Sequence, residues 1–320
     1  MRIVVTGADG FIGRALTAAL KDAGHEIAAC TMAAQPLGPI PAGVAQFVSG
    51  PITAGTDWGK ILRKDDVIVH LAARVHVMRE DAADPLAEFR AVNTAGTANL
   101  ARQAAAAGVK RFVFMSTVGV NGNNSGTHLY KEGDPPRPHN YYSVSKWEAE
   151  TELAAMAKTS AMQVVVVRAP LVYGPGNPGN FNSLLRLVSA GVPLPLASVR
   201  NVKSFVSVQN LVSALALCCA HANAAGLYLV SDSEFVSTPD LIRKLAAFMG
   251  RPARLFPFPA GLLALAGKLA GRRSAVESLL LPLAVDSAKI RRQLGWRAPV
   301  SLDEGLRRTV EWFAAREKRL

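Results

Sequence analysis

The most constraining feature of the sequence is a short apolar segment at its start that leads into three evenly spaced glycines. Residues 2–6 are apolar apart from their ends, and Gly7, Gly10 and Gly13 precede a helical pattern. Gly7 would allow a tight turn, Gly10 a close approach of the backbone to a ligand, and Gly13 close packing of helix on strand. The free N–H groups at the start of that helix would face an anion. The segment therefore predicts a strand, a loop and a helix that together bind a diphosphate.

Apolar segments alternate with helical patterns through the first half of the chain. The predicted strands are rich in Val and Ile on both faces, as strands buried within a parallel sheet are. They comprise residues 2–6, 26–30, 46–48, 67–72, 111–116 and 164–168. Helices are predicted between them, among them residues 85–107 and 143–158. These repeated units predict an α/β fold, a doubly wound parallel sheet of the Rossmann type.

The second half of the chain has a different character. Loops rich in Gly and Pro, at residues 173–180 and 191–195, separate shorter strands and helices. We expect a first domain over residues 1–175 and a smaller C-terminal α/β substrate lobe over residues 176–320. The boundary is soft, because the chain is expected to cross between the two lobes more than once.

Composition restricts the class of protein. Half of the residues are hydrophobic and 19% are charged, which suits a large buried core and excludes a disordered chain. Three cysteines form no disulfide framework, so a reducing, cytoplasmic location is expected. Charged residues interrupt the apolar region at 260–285, and no membrane span is expected. The spacing of His, Cys and carboxylate residues predicts no metal site.

Positive charge is concentrated in the second half of the chain. The net charge is +12, and residues 176–320 hold nineteen Lys or Arg against nine Asp or Glu. A basic surface can attract an anionic substrate, but a solvated surface without function is the favoured interpretation of net charge alone. The basic residues are scattered and lack interleaved aromatic residues, so no nucleic-acid partner is expected.

Tyr142 and Lys146 form a candidate catalytic pair. In a helix, a spacing of four puts both side chains on one face, about one turn apart. The ammonium would lower the pKa of the tyrosine from its ordinary value of about 10. Tyr142 could then take a proton from a hydroxyl or give one to a ketone. Ser116 and Thr117 end a strand at the expected ligand crevice, where Thr117 would bond the reacting oxygen and Ser116 is the alternative.

Six motifs occur in the order that is typical of extended short-chain dehydrogenases. They are Gly7-x-x-Gly10-x-x-Gly13, His70-Leu-Ala-Ala73, Asn93-Thr-Ala-Gly-Thr97, Ser116-Thr117, Tyr142-x-x-x-Lys146 and Arg168-Ala-Pro-Leu-Val-Tyr-Gly-Pro175. The chain resembles the UDP-glucose 4-epimerase-like branch, the NAD-dependent epimerase/dehydratase family, over nearly its whole length. The resemblance implies an enzyme that transfers hydride between a nicotinamide cofactor and a nucleotide-linked sugar. It also implies a homodimer whose interface uses residues 85–107 and 143–158.

The expected cofactor is NAD or NADP. The residues expected to bind it, several of them by resemblance alone, are Gly7, Gly10, Phe11, Ile12, Gly13, Thr31, Ile52, Leu71, Ala72, Ala73, Asn93, Tyr142, Lys146 and Pro170. An acidic residue after the second strand would bind the ribose 2′-hydroxyl of NAD, and a nearby Arg would favour NADP. Residues 30–33 contain neither, and the missing acid favours NADP(H).

The expected substrate is a UDP-linked hexose or hexosamine. The residues proposed to bind it are Arg74, His76, Thr117, Asn180, Arg200 and Lys203. Arg74 and His76 follow a predicted strand into the crevice. Asn180 resembles a residue that contacts UDP, and Lys203 stands where the family usually has a diphosphate-binding Arg. Lysine keeps the charge at that position but loses the bidentate geometry, and Arg200 could share the task.

Several reactions are compatible with these motifs. A 4-epimerase would hold NAD tightly, oxidise C4 and return the hydride to the other face of the sugar. A 4-reductase would reduce a UDP-4-keto-6-deoxy-hexosamine once. It is favoured by the missing acid after the second strand and by the resemblance of three segments, residues 70–78, 193–205 and 229–232, to a bacterial polysaccharide-cluster subgroup that includes such reductases. That resemblance implies lipopolysaccharide precursor synthesis. A dehydratase is disfavoured, because Val118 and Gly119 follow Thr117 where that class has acidic residues. A non-catalytic nucleotide sensor remains a remote alternative.

Overall fold

The computed structural model describes residues 1–75 and 83–317. The strands of this part of the chain are β1 (Arg2–Thr6), β2 (Glu26–Thr31), β3 (Ala45–Val48), β4 (Val67–His70), β5 (Arg111–Thr117), β6 (Gln163–Ala169), β7 (Leu171–Tyr173), β8 (Lys203–Ser207), β9 (Gly226–Leu229) and β10 (Phe235–Val236). Seven of them form a parallel sheet in the order β3-β2-β1-β4-β5-β6-β9. The predicted fold class, a doubly wound parallel α/β sheet, is confirmed.

Helices cover both faces of this main sheet and build the second lobe. They are α1 (Phe11–Asp22), α2 (Pro85–Phe89), α3 (Thr97–Ala106), α4 (Tyr141–Thr159), α5 (Asn180–Ser189), α6 (Val208–Ala220), α7 (Thr238–Phe248), α8 (Ala260–Leu269), α9 (Arg273–Leu280), α10 (Ala288–Leu294) and α11 (Leu302–Glu317). One core cluster packs α1 and α6 against the sheet, and a second packs α3 and α4 against its other face. None of the described helices combines the length and the hydrophobicity needed to span a bilayer.

The second lobe has its own small sheet. Strands β7 and β8 pair in parallel, β10 pairs with β8 in the antiparallel direction, and helices α5, α7 and α11 pack around a third core cluster. Strand β9 and helix α6 nevertheless belong to the main sheet and its cover, although both lie after residue 175. The chain therefore returns to the first lobe within the range 176–320.

Two predicted elements differ from the structure. The predicted strand 67–72 ends at His70, although the N–H groups of Leu71 and Ala72 still donate to the carbonyl and hydroxyl of Thr6, both at 3.3 Å. The single predicted helix 85–107 is interrupted by a π-helical turn, Arg90–Gly96, between α2 and α3. A π turn inserts an extra residue into the helix, which hydrophobic periodicity does not reveal.

Candidate active site

The glycine loop joins β1 to α1 in a conformation that excludes side chains. Gly7 has a φ of +64°, and a Cβ there would lie 2.9 Å from the amide nitrogen of Ala72. A Cβ on Gly13 would lie only 2.0 Å from the carbonyl oxygen of Gly7. Gly10 precedes α1 with no side-chain cap, so the N–H groups of the first helical turn remain available to a ligand. The loop therefore fits the diphosphate of a dinucleotide.

Helix α4 places Tyr142 and Lys146 beside this loop. The helix begins with a capping box: the amide of Ser143 donates to Asn140 Oδ1 at 2.8 Å, and the amide of Asn140 donates to Ser143 Oγ at 3.1 Å. The cap fixes the first turn, which carries Tyr142, and Lys146 follows one turn later. The Lys146 ammonium lies 4.0 Å from the centre of the Phe114 ring and is almost fully buried.

These two side chains line a cavity of about 160 Å³ at the carboxyl ends of β5 and β6. Its described walls are Ile12, Leu71, Ala73, Val75, Met115, Ser116, Thr117, Tyr142, Lys146, Ala169, Pro170 and Val172. The strand order reverses beside β1, and ligands of open α/β sheets bind in the crevice at that point. The structure thus gathers the predicted catalytic residues together with Ile12, Leu71, Ala73 and Pro170 from the predicted cofactor set.

Burial sets the pKa values of the pair. Burial raises the pKa of Tyr142 to about 12, and it lowers the pKa of Lys146 to about 7 against a smaller opposing effect of Glu150. The prediction that the neighbouring ammonium lowers the pKa of Tyr142 is therefore wrong for the protein by itself. A low-dielectric wall disfavours both charged forms, the phenolate of Tyr142 and the ammonium of Lys146. In the protein by itself, Tyr142 therefore holds its phenolic proton at neutral pH.

The two hydroxyls at the end of β5 have different surroundings. Ser116 is buried and its hydroxyl donates to Glu150, whereas Thr117 Oγ1 accepts a bond of 3.1 Å from the amide of Gly119. A hydroxyl that accepts can still donate to a second partner. Ser116 thus belongs to a supporting cluster, and the role of Thr117 in bonding the reacting oxygen stays a prediction.

That supporting cluster is a feature that the sequence did not reveal. Glu150 and Arg168 form a buried ion pair with bonds from Arg168 Nε at 3.0 and 3.2 Å, and Arg168 Nη1 donates to Asn121 Oδ1 at 2.9 Å. Glu150 lies one turn beyond Lys146 on α4, so the same carboxylate faces the arginine and acts on the lysine. The sequence feature that indicates this cluster is the spacing of four between Lys146 and Glu150, which places both side chains on one face of α4.

Asn93 lies in the π-helical turn and fastens the crevice wall. Its Oδ1 accepts from the amide of Arg74 at 2.8 Å, and its Nδ2 donates to the carbonyl of Arg74 at 2.9 Å and to Ser145 Oγ at 3.0 Å. These bonds hold the segment after β4 against α4. Asn93 was predicted to help position the cofactor, and its contacts show that it positions the wall that carries Leu71 and Ala73.

His70 is buried between two threonines at the end of β4. Its Nδ1 lies 2.6 Å from Thr6 Oγ1 and its Nε2 lies 3.0 Å from Thr97 Oγ1. Burial, with a smaller contribution from Lys146, lowers its pKa to about 3. A neutral imidazole therefore joins β1, β4 and α3 beneath the glycine loop.

Four further residues of the predicted cofactor set, Phe11, Thr31, Ile52 and Ala72, are not among the described cavity walls. Thr31 donates its hydroxyl to the carbonyl of Ala33 at 2.8 Å, and Ile52 packs against Gly96, where a Cβ would lie 2.7 Å from Ile52 Cγ2. Thr31 and Ile52 stay predictions for the adenosine end of the cofactor. Thr31 is the last residue of β2, and Ile52 follows β3.

The predicted substrate residues of the second lobe are dispersed. Asn180 begins α5 and Arg200 precedes β8, and both are exposed. Lys203 donates from Nζ to the carbonyl of Ser278 at 2.8 Å and to that of Leu281 at 3.1 Å, and burial lowers its pKa to about 8. Its ammonium thus holds the end of α9. His76 lies outside the described residues.

A larger cavity, of about 470 Å³, lies at the opposite, amino ends of the strands. Its wall includes Arg111, whose Nη1 donates to the carbonyls of Cys218 and Cys219 at 3.0 and 2.8 Å. The guanidinium is therefore already used to fasten α6 to the sheet. Ligands of parallel α/β sheets bind at the carboxyl ends, so the smaller crevice is the candidate active site.

The sheet order, the glycine loop and the Tyr–Lys pair at the strand ends together define a dinucleotide-dependent protein of the extended short-chain dehydrogenase type. The model of the NAD dependent epimerase/dehydratase family matches residues 3–230, and the chain belongs to that family. The prediction of an enzyme of this class is confirmed.

Three relatives illustrate the likeness. A UDP-glucose 4-epimerase of Vibrio cholerae is 44% identical over 270 residues, which cover 83% of this chain and 82% of that protein. The N-acetyl-alpha-D-glucosaminyl-diphospho-ditrans,octacis-undecaprenol 4-epimerase of Escherichia coli O157:H7 is 28% identical over 77% of each chain. The crystal structure of the UDP-glucose 4-epimerase of Thermus thermophilus in complex with NAD is 26% identical, with a TM-score of 0.78 over 98% of this chain and 99% of that one.

Proposed function

We propose that this enzyme epimerises C4 of a UDP-linked hexose or hexosamine with NAD as its cofactor. The observation that carries the proposal is the convergence of Tyr142, Lys146 and Thr117 on one crevice next to a glycine loop that admits a diphosphate. The Vibrio cholerae relative is named for this reaction, and it is similar over most of both chains. The 4-epimerase thereby gains support over the 4-reductase, which stays a prediction.

The residues of the crevice divide the chemistry between them. NAD, when bound, supplies a hydride acceptor and then a hydride donor. Tyr142 exchanges a proton with the C4 oxygen, and Thr117 donates a hydrogen bond to that oxygen. Lys146 contributes positive charge when it is protonated, which favours transient loss of the Tyr142 proton. The apolar walls formed by Ile12, Leu71 and Pro170 limit the entry of water.

The proposal for NAD rests on the glycine loop and on the family. The loop is shaped for a dinucleotide, and the Thermus thermophilus structure is a complex with NAD. The absence of an acid after β2 is the basis for predicting NADP(H). It concerns only the contact with the 2′-position of the ribose. Extraction of the nucleotide from purified protein, followed by chromatography, distinguishes NAD from NADP.

The reaction is tested with UDP-N-acetylglucosamine and UDP-glucose that carry deuterium at C4. We expect the C4 epimer to appear in the proton NMR spectrum with the deuterium retained, because the hydride that is removed is the one returned. Tyr142→Phe is expected to slow the reaction by about 10²–10⁴-fold. Tyr141→Phe is the matched control, since Tyr141 is the exposed neighbour in the same helical turn.

Two outcomes would contradict the proposal. Stoichiometric oxidation of added NADH or NADPH by a UDP-4-keto-6-deoxy-hexosamine, without epimerisation of either sugar nucleotide, would assign the 4-reductase. Equal loss of activity in the Tyr141 and Tyr142 variants would show that the phenol of Tyr142 has no specific role.

A further inference from the structure

Helix α8 in the second lobe exposes an apolar face. Leu262 is 55% exposed, Leu265 53% and Leu269 81%, and Ala266 is exposed as well. These residues follow the spacing i, i+3, i+4 and i+7, which places them on one side of a helix. The exposed leucines are therefore a continuous stripe about two turns long rather than isolated surface residues.

The opposite side of α8 is fixed to the protein. Leu263 packs against the core cluster of the second lobe, and a Cβ on Gly267 would lie 2.6 Å from Val276 Cγ2, so α8 and α9 are in close contact. The turn between the helices is closed by the amide of Arg272, which donates to the carbonyl of Gly267 at 2.8 Å. Gly271 follows the C-cap residue of α8 with a φ of +66°. The leucine stripe cannot turn inward without breaking this hairpin.

Positive charge borders the stripe. The α8–α9 hairpin, residues 260–280, contains three basic residues, Lys268, Arg272 and Arg273, and a single acidic one, Glu277. Glu277 pairs with Arg273 at 2.6 Å, and within the described part of the chain neither Lys268 nor Arg272 forms an ion pair with a carboxylate. A surface of this composition matches an anionic, partly apolar partner.

We propose that α8 docks the protein onto an anionic lipid membrane. The leucine stripe inserts at the boundary between headgroups and acyl chains through Leu262, Leu265 and Leu269. The lipid phosphates are contacted by Lys268 and Arg272. Helices that lie in a membrane interface combine such an apolar face with flanking basic residues. Each basic residue near an anionic surface adds to the attraction, which salt weakens.

Charge complementarity favours a membrane over a second copy of this chain. A two-fold contact through α8 would place the same basic residues of two protomers side by side, and like charges across an interface oppose association. An anionic bilayer instead neutralises them. The docked hairpin stays linked to the substrate lobe, because Asn201 donates to the carbonyl of Leu279 at 2.8 Å at the end of α9.

The proposal is tested by flotation of the full chain with vesicles. Vesicles of phosphatidylcholine alone are compared with an equimolar mixture of phosphatidylcholine and phosphatidylglycerol. We expect binding to the anionic vesicles, weakened when salt rises from about 0.1 M to about 1 M and the Debye length falls from about 10 Å to about 3 Å. The double variant Leu265→Ser/Leu269→Ser is expected to partition at least about tenfold less, since two inserted leucines are removed.

Leu37→Ser is the matched control, because Leu37 is 85% exposed and lies in the first lobe. Its flotation should equal that of the parent protein. The proposal is overturned if the parent does not float with the anionic vesicles, or if the leucine double variant floats as well as the parent. It is also overturned if sedimentation velocity shows that this variant dissociates a dimer, which would assign the stripe to a second copy. Flotation needs no turnover, so these outcomes are independent of the proposed reaction.

Discussion

The buried ion pair between Glu150 and Arg168 offers the sharpest test of how the crevice is supported. The two side chains are 6% and 2% exposed. In Glu150→Gln the shape is kept, but the guanidinium loses its counter-charge and the carboxylate that accepts from both Arg168 and Ser116. Breaking one side of a buried pair costs about 3–5 kcal/mol. Because the amide oxygen still accepts one bond, we expect a loss of about 3 kcal/mol in the free energy of unfolding.

Urea unfolding followed by tryptophan fluorescence measures this loss. Glu152→Gln is the control, since Glu152 is an exposed carboxylate on the same helix and its change should stay within about 0.5 kcal/mol. In Glu150→Gln/Arg168→Met the orphaned charge is removed, so part of the stability should return. A Glu150→Gln variant within about 1 kcal/mol of the parent would refute the view that this carboxylate neutralises Arg168.

The same variant has a kinetic signature. Glu150 raises the pKa of Lys146, which burial holds at about 7, so its removal lowers that pKa further. If the reaction requires the protonated lysine, activity is lost as pH rises through that pKa. The falling limb of the pH–rate profile should therefore move to lower pH in Glu150→Gln and stay in place in Glu152→Gln. A purely structural role would lower the stability without moving the profile.

Other predictions follow from packing and burial. Gly13→Ala would place its Cβ 2.0 Å from a loop carbonyl and should lower the free energy of unfolding by about 1–3 kcal/mol, whereas Gly133→Ala, with nothing within 4 Å, should have little effect in the same urea assay. The pKa of His70 falls from 6.5 to about 3 on folding, so the unfolded chain binds the extra proton and stability is lost as pH falls through this window, by up to about 5 kcal/mol. This fall of the free energy of unfolding with pH should be absent from His70→Gln, and an equal fall in the variant and the parent would contradict the prediction. Burial raises the pKa of all three cysteines, so a thiol reagent at neutral pH should label them only after unfolding, and prompt labelling of the folded protein would exclude this.

Local patterns were sufficient to predict the scaffold of the site. Buried parallel strands have continuous apolar sequences, and the three glycines follow the first of them, so strand, loop and helix could be placed from short segments alone. The spacing of Tyr142 and Lys146 likewise fixes their common helix face. These features depend on residues that are close together in the sequence.

The features that sequence did not predict depend on distant contacts. The polar cluster behind the crevice joins three residues that are far apart in the sequence, Asn121, Glu150 and Arg168. No short segment contains all of them. Burial raises the pKa of Tyr142, and the burial of a side chain cannot be read from the spacing of two residues. The π-helical turn that carries Asn93 is invisible to periodicity for the same reason, since tertiary bonds to Arg74 and Ser145 accompany it.

The return of the chain to the main sheet through α6 and β9 has a consequence for folding. Val165 and Val167 of β6 are fully buried, and α6 belongs to the cluster that covers them. A fragment that ended at residue 175 would leave this face bare and would turn β6 into an unpaired edge, which invites aggregation. The two lobes are thus a single cooperative unit, and the second half of the chain completes the fold of the first. An independently expressed dinucleotide-binding half is therefore expected to be insoluble.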